Sequence, residues 1–493
     1  MASPALVIGA GFGGLAVALR LRARGMSVTL LDSLPGPGGR GREFVRSAQG
    51  QTFRYDAGPT VLTAPILFEE LFALFGEKLV DHVELLPVTP WYQMRFADGT
   101  QLDYGGSTRQ IQAEIAKFSV SDSLAYPAYL EFSQRLFAKG YEELGTQPFL
   151  GWGSMLRAMP AMAKLRADRS VYALTAKFFK DDRVRRAFSI QPLLVGGNPF
   201  DTTSIYSLIH ALERKWGVWF VRGGMAALAR ALVALGQRHG LRFEWNASVA
   251  KINATSARAT DVLLQDGRSF AFDTLVCNAD PGYVLSQLLG GPAAKPRAVA
   301  SKKYSMGLFV WYFSTKRVYG QVPHHTILFG KTYREVLHKI FNTKELPEDL
   351  SIYLHRPSAT DPKYAPAGYD SFYALVPVPN LQADIDWGAV GNAFKAALCK
   401  DLQARILPDL SDCIVDEFYL TPKYFAEQLH SPHGAGFSIT PNLMQSAGLR
   451  FPNRNPDLPN LYFVGAGTHP GAGVPGVVTS AKVVERLMFG GVA

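Results

Sequence analysis

The first thirty-two residues constrain this chain more than any other stretch. Ala5–Ile8 is a short apolar run with the character of a buried strand. Gly9-Ala10-Gly11-Phe12-Gly13-Gly14 comes next, and then a helical pattern with Leu15, Ala18 and Leu19 on one face and Arg20, Arg22 and Arg24 elsewhere. Gly25 is placed to stop that helix, and Val28–Leu31 reads as a second buried strand ending in Asp32. Each glycine has a physical task. Gly9 permits a tight turn, Gly11 lets the backbone approach a pyrophosphate, and Gly14 lets helix and strand pack closely. The free N–H groups at the helix start face the anion, and Asp32 stands where a carboxylate accepts from ribose hydroxyls. A glycine-rich loop alone fits many α/β proteins; strand, helix, second strand and terminal acid together point to dinucleotide binding.

The segment after Asp32 narrows the ligand. A nicotinamide dehydrogenase would continue into another helix and strand. Here Pro35–Arg42 is a glycine loop carrying Gly38, Gly39, Arg40 and Arg42, able to bring backbone donors and a guanidinium to a second part of a long cofactor. Taken alone, it also reads as a surface turn. Near the C-terminus, Leu461–Val464 reads as a strand. It leads into Gly465-Ala466-Gly467-Thr468-His469-Pro470-Gly471-Ala472-Gly473-Val474-Pro475-Gly476 and a helix from about Val477. Two strand–glycine–helix sites at opposite chain ends suggest a cofactor that threads the domain, and FAD has that length. The second helix start is suited to negative charge on a flavin ring.

Bulk properties agree with an enzyme of several domains. The chain has 493 residues, too many for one ordinary core, with 47% hydrophobic and 19% charged residues. Its net charge of +10 suits an anionic partner. No nucleic-acid module is recognisable, so a membrane surface or phosphorylated ligand remains. Cys277, Cys399 and Cys413 form no CxxC pair, which excludes a zinc or disulfide framework and fits a reducing compartment; no metal site is expected. The segment before Val7 is too short for a signal peptide, and no apolar run is long enough to span a bilayer. A cytoplasmic protein bound peripherally to the cell membrane is expected.

VIGAGFGGLA, GPGGRGR and LYFVGAGTHPGAGVPG resemble the FAD fingerprints of the amine-oxidase-like flavoproteins. The resemblance implies an α/β fold, a Rossmann-like FAD-binding domain with an inserted α+β substrate domain. It also places Tyr55–Thr60, including Gly58, Pro59 and Thr60, near the flavin. Val249, read in a strand Phe243–Ile252, would meet the adenine, and Val276–Asp280, with Asn278 and Asp280, would end a later strand of the same domain. The middle of the chain is more specific. Leu193–Phe200, Ser204–His210, Trp216–Met225, Glu84–Tyr92 and the His324-His325 pair resemble the bacterial phytoene desaturases over nearly the whole length.

That family resemblance implies successive dehydrogenation of a forty-carbon polyene, phytoene, to lycopene or neurosporene, with hydride passing to flavin N5 and a proton leaving the neighbouring carbon. The protein's task is then to hold the right bond at the ring and exclude water. Oxygen or a quinone would take the electrons onward. Two candidate catalytic residues are Arg157, in Met155-Leu156-Arg157, and His469 in the flavin-side loop. Gly153-Ser154 stands where a more polar, often acidic, pair is expected. His469 reads equally as a buried histidine bonded to backbone, and His324 and His325 read as structural. Aromatic runs such as Phe309–Phe313 read mainly as sheet core.

Phe149–Lys180 is a candidate membrane surface: Trp152, Met155, Met159, Met162 and Phe178–Phe179 among six basic residues, with Asp168 the one acid. Its alternative is a basic face over a protein core. In outline, 1–80, 220–300 and 456–493 are expected to form a discontinuous FAD domain. Residues 81–219 are read as a helical substrate and membrane region, and 301–455 as a substrate domain with strands at Leu308–Phe313, Ser351–His355 and Ser371–Val376. The competing readings are a hydroxycarotenoid desaturase, a carotene isomerase, a flavin amine oxidase and a non-catalytic prenyl-lipid carrier.

Overall fold

The computed structural model describes residues 3–149, 160, 163–291 and 294–490. Its organising layer is a five-stranded sheet, all parallel, in the order Leu461–Phe463, Thr274–Cys277, Pro4–Ile8, Ser27–Leu31, Arg242–Glu244. Numbered along the chain, that order is 5-4-1-2-3. Connections therefore run outward in both directions from Pro4–Ile8. The crevice between Pro4–Ile8 and Thr274–Cys277 is the switch point, where open α/β sheets bind ligands beyond the carboxyl ends of their strands.

The first helix, Phe12–Ala23, is covered on every side, and its residues 12–21 are all buried. It packs against the last helix, Val474–Phe489, and against Gly224–Arg238. Arg20 accordingly does not reach solvent, as one apolar face would have suggested. It is 2% exposed and pairs with Glu485 at 2.9 Å and Glu70 at 2.6 Å. A guanidinium between two helices is tolerated because both carboxylates are at hand. The last helix begins three residues before the position read from sequence, because Pro475 fits the first helical turn.

The expected strand Phe243–Ile252 is two strands in two sheets. Asn246 turns left-handed (φ 54°), while the amides of Asn246 and Ala247 donate to the carbonyls of Leu34 and Asp32. The chain then enters an antiparallel sheet of Val249–Ala254, Ala259–Leu264 and Ser269–Ala271.

A seven-stranded sheet forms the second layer. Its order is Ile414–Leu420, Gly307–Thr315, Asp370–Val378, Ile352–His355, His325–Leu328, Tyr92–Arg95, Gln101–Tyr104. Neighbours are antiparallel except His325–Leu328 with Tyr92–Arg95. The three strands read from sequence are present, each longer or shorter by a few residues. Residues 81–219 are thus not helical throughout: their first part adds two strands to this sheet, and their helices Thr108–Ala116, Val120–Phe137 and Leu208–Trp216 come after them. The three cysteines are free, and no helix among the described residues is long and apolar enough to cross a membrane.

Candidate functional site

One cavity of about 840 Å³ runs from the switch point into the second layer. Ligand sites commonly span ~300–1,000 Å³, so this one is roomy. It is lined by Gly9, Gly11, Gly13, Asp32, Gly38, Gly39, Arg40, Gly58, Pro59, Thr60, Val249, Asn278, Asp280, Gly465, Gly467, His469, Gly473, Val474 and Pro475. The structure thus brings together every residue read from sequence as cofactor-binding except Gly14. Gly14 stands behind the wall: a Cβ there would lie 1.9 Å from the Gly9 carbonyl oxygen, so its part is the close approach of helix to turn. Arg157 lies outside the described residues.

The polar end is built from backbone. Gly9 (φ 98°) turns the chain while its amide donates to Leu31, and the Gly38 amide donates to Ala10. The Pro35–Arg42 loop is therefore clamped onto the first glycine turn. Asn278 wedges between the two glycine sites; a Cβ on Gly11 would meet its Nδ2 at 2.7 Å, and one on Gly13 its Oδ1 at 2.6 Å. Asp32 accepts from the amides of Ala10 (2.6 Å) and Leu34 (2.8 Å). Burial raises its pKa, partly offset by those two amides. Burial likewise raises Asp280, against the hydrogen bond from the Gly282 amide and the charges of Arg40 and Arg450.

Arg450 carries no recognisable sequence signal. It is 4% exposed and donates to the carbonyls of Thr468, Ala466 and Gln445, fixing the Gly465–Gly471 loop from outside the cavity. His469 donates from Nε2 to the Leu144 carbonyl (3.0 Å), and its Nδ1 is buried without a partner. Burial pulls its pKa down to about 4. It is a neutral imidazole at neutral pH with one open acceptor.

The other end is apolar, with Leu193, Val195, Ile205, Leu208, Leu212, Leu308 and Phe329 in its walls. Two polar inlays interrupt it. In the first, Thr60 shares a hydrogen bond with the Tyr353 hydroxyl (2.6 Å), which bonds His325 Nδ1 (2.7 Å). His325, His324 and His355 cluster behind it, and their ring nitrogens lie within 4.8 Å of one another. That spacing is close enough to share one ion, but His324 and His355 instead bond each other through Nε2 (3.0 Å), and burial holds all three neutral. The second inlay contains Glu213, another lining residue that no motif or periodicity marks.

The residues present fit a flavin adenine dinucleotide. A cradle of Gly11, Gly13, Gly38 and Gly465, packed too closely against Asn278 and the Gly41–Arg42 backbone to admit a Cβ, together with the buried and unpartnered Nε of Arg40, suits a pyrophosphate. Fold and cradle define a dinucleotide-binding flavoprotein. The profile of the flavin containing amine oxidoreductases matches residues 12–484. Among curated proteins, the chain is 46% identical to a lycopene-forming phytoene desaturase of Pantoea ananas, over 99% of both chains. It is 44% identical to one of a Paracoccus species, over 100% of this chain and 98% of that one. It is 40% identical to a neurosporene-forming phytoene desaturase of Rhodobacter capsulatus, over 98% and 93%. Among solved structures, an oxidoreductase from Methanosarcina mazei superposes with a TM-score of 0.64 at 16% identity, over 98% of this chain and 100% of that one. Cyclohexylamine oxidase from Brevibacterium oxydans does so at 0.62 and 15%, over 99% of both. These two likenesses establish the fold. The chain belongs to the flavin containing amine oxidoreductases and, within them, to the bacterial phytoene desaturases. Its cofactor is FAD.

The membrane surface read from sequence is changed by the structure. Arg157, Trp152, Met155, Met159 and Met162 lie outside the described residues. Phe179 is fully buried, and Phe178 packs partly covered against the same core. They close the protein interior because the helix Val171–Thr175 ends before them. Lys164 and Arg166 are exposed. The Lys177 pKa is lowered by desolvation and by the charges of Arg169 and Arg166, so basic groups crowd there.

Proposed function

We propose that this protein is an FAD-dependent phytoene desaturase that takes phytoene through successive dehydrogenations to lycopene or neurosporene. The observation that carries this reading is the union of the glycine cradle with an apolar cavity end, in a chain 44–46% identical over its whole length to lycopene-forming enzymes. FAD, when bound, supplies a two-electron oxidant that can receive a hydride from carbon. The chain does the rest. Gly11 and the start of Phe12–Ala23 hold the pyrophosphate, Asp32 the ribose, and Val249 the adenine. The start of the last helix, at Val474 in the cavity wall, would turn its dipole to the flavin and favour negative charge there. Leu208, Leu212 and Phe329 exclude water and hold the polyene. His469, with its open Nδ1 in the cavity wall, would accept a hydrogen bond from the flavin and help to orient it.

The substrate comes from a bilayer. At ~0.8 kcal/mol per buried CH₂, exposing such a hydrocarbon to water would cost on the order of 30 kcal/mol. We therefore assign the basic surface around Lys164, Arg166 and Lys177 to peripheral contact with an anionic cell membrane, and the final acceptor to oxygen or a quinone. The test is incubation of FAD-loaded protein with phytoene in liposomes, with products separated by chromatography. Conjugated products are expected; no conjugated product with either acceptor would overturn the reading. Amine turnover with hydrogen peroxide would indicate an amine oxidase instead.

A further inference from the structure

Glu213 sits on the helix Leu208–Trp216, is 1% exposed at the molecular surface and lines the apolar end of the cavity. Its carboxyl has no cationic partner within ion-pair distance among the described residues, and only neutral hydroxyls hold it. Tyr92 donates to Oε1 (3.3 Å) and Tyr104 to Oε2 (3.0 Å), from the last two strands at one side of the large sheet. Behind them Tyr104 bonds His210 Nδ1, and His210 Nε2 bonds the Tyr126 hydroxyl (3.1 Å) of the helix Val120–Phe137, where Tyr129 also packs against His210. Among the described residues the cation acting on this inlay is Arg214, which is turned outward to the Gly106 carbonyl and Thr108.

Burial pushes the Glu213 carboxyl up to about 7, with Tyr104, Tyr92 and Arg214 offsetting part of it. Its neighbours do not titrate there. His210 is pulled down to about 3 by burial, while Tyr92 and Tyr104 are driven well up. A short chain of groups also ties the carboxyl to the Thr60 side of the cavity. The Tyr92 ring meets His325 (5.5 Å between centroids), and His325 bonds Tyr353, which bonds Thr60.

We propose that Glu213 is the proton acceptor of the desaturation. The proposal rests on the desaturase reading above. One C–H bond of the polyene breaks with its electron pair, which passes as hydride to FAD. The C–H bond on the adjacent carbon breaks the other way. Its proton goes to a Glu213 oxygen, and its electron pair becomes the new C=C bond. FAD is the oxidant and the hydrocarbon is oxidised by two electrons. A base serves best when its pKa lies near the working pH, because it is then both ionised and basic. Glu213 meets that condition; His469, held near 4 with Nε2 committed to Leu144, is a much weaker acceptor.

The test is single-turnover desaturation of phytoene in liposomes by FAD-loaded wild type, Glu213→Gln and Glu213→Asp, across pH. Wild type is expected to accelerate as pH rises through neutrality and to level off above it. Glu213→Gln should be ~100-fold slower or worse and flat with pH, since general bases contribute ~10²–10⁴-fold. Glu213→Asp should recover part of the rate and the pH dependence. A readout independent of turnover is the infrared carbonyl band of a protonated carboxyl, which should titrate near neutral pH in resting wild type and vanish in Glu213→Gln. Unchanged flavin spectra, with melting temperatures no lower than wild type, check that the variants fold. A Glu213→Gln enzyme at wild-type rate, an unchanged pH profile, or a resting protein with no such band overturns this role and leaves the desaturase reading standing. Wild type that leaves phytoene untouched overturns both.

Discussion

The two ends of the cavity are built on opposite plans. At the glycine end, binding groups are backbone amides and helix starts, placed by turns that occupy a few consecutive residues. At the apolar end, side chains from a helix, two neighbouring strands at one side of a sheet and that sheet's centre converge, and the one carboxyl among them is supported by tyrosines more than a hundred residues away. The first plan fixes a cofactor that must not move relative to the fold. The second leaves a smooth wall for a hydrocarbon, with chemistry confined to one inlay.

Substitutions at the glycine end should break the comparison hardest. Gly14→Val puts a Cβ 1.9 Å from the Gly9 carbonyl oxygen and should abolish FAD retention, giving colourless protein by visible absorbance. Gly36→Ala, with nothing within 4 Å, should leave the yellow holoprotein unchanged. A retained flavin in Gly14→Val would separate the turn from the cofactor.

At the apolar end the next effect is on stability. The folded pKa of Glu213 lies near 7, above its ordinary 4.5. Between those values the folded state binds more protons than the unfolded state, so stability falls as pH rises through that window and the full loss is reached above 7. That loss is up to about 3 kcal/mol. Glu213→Gln should therefore raise the melting temperature at pH above 7 and change it little at pH below 4.5. An equal effect at both extremes would show that the carboxyl is not held protonated.

His469 tests the boundary between the two ends. His469→Asn should slow turnover by less than about tenfold and keep the inflection near neutral pH, because that inflection belongs to Glu213. Loss of the inflection would transfer the role to His469. The smallest effect is expected at the outer surface. Each basic residue near an anionic bilayer contributes about 1 kcal/mol, roughly fivefold in binding, so Lys164→Glu with Arg166→Glu should weaken liposome flotation and make it less sensitive to salt. Unchanged, salt-insensitive flotation would remove this surface from membrane contact.

The same contrast explains what the sequence could show. The glycine turns are local: Gly9, Gly11, Asp32, Gly38 and Gly465 declare their geometry within a few neighbours, and the structure sets them around one cavity. Long-range contacts were opaque. Arg20 has the pattern of a surface arginine, yet Glu485, 465 positions away, makes it a core residue. Phe178 and Phe179 look like lipid-facing aromatics until Tyr129 and Phe188 are seen around them. The strand near Phe243 breaks because Leu34 and Asp32 offer carbonyls to Asn246 and Ala247, which no periodicity records. Glu213 stands beside Arg214 and Lys215 and reads as one charge of a solvated helix; only the tertiary fold turns it inward.

One measurement bears most directly on the claim that both ends serve a single reaction. FAD-loaded protein is mixed anaerobically with one equivalent of phytoene in liposomes, and flavin bleaching and polyene absorbance are monitored together. The account predicts that they change at one rate, with one flavin bleached for each double bond formed. Conjugation that grows without bleaching, or bleaching that leaves phytoene unconjugated, would contradict it.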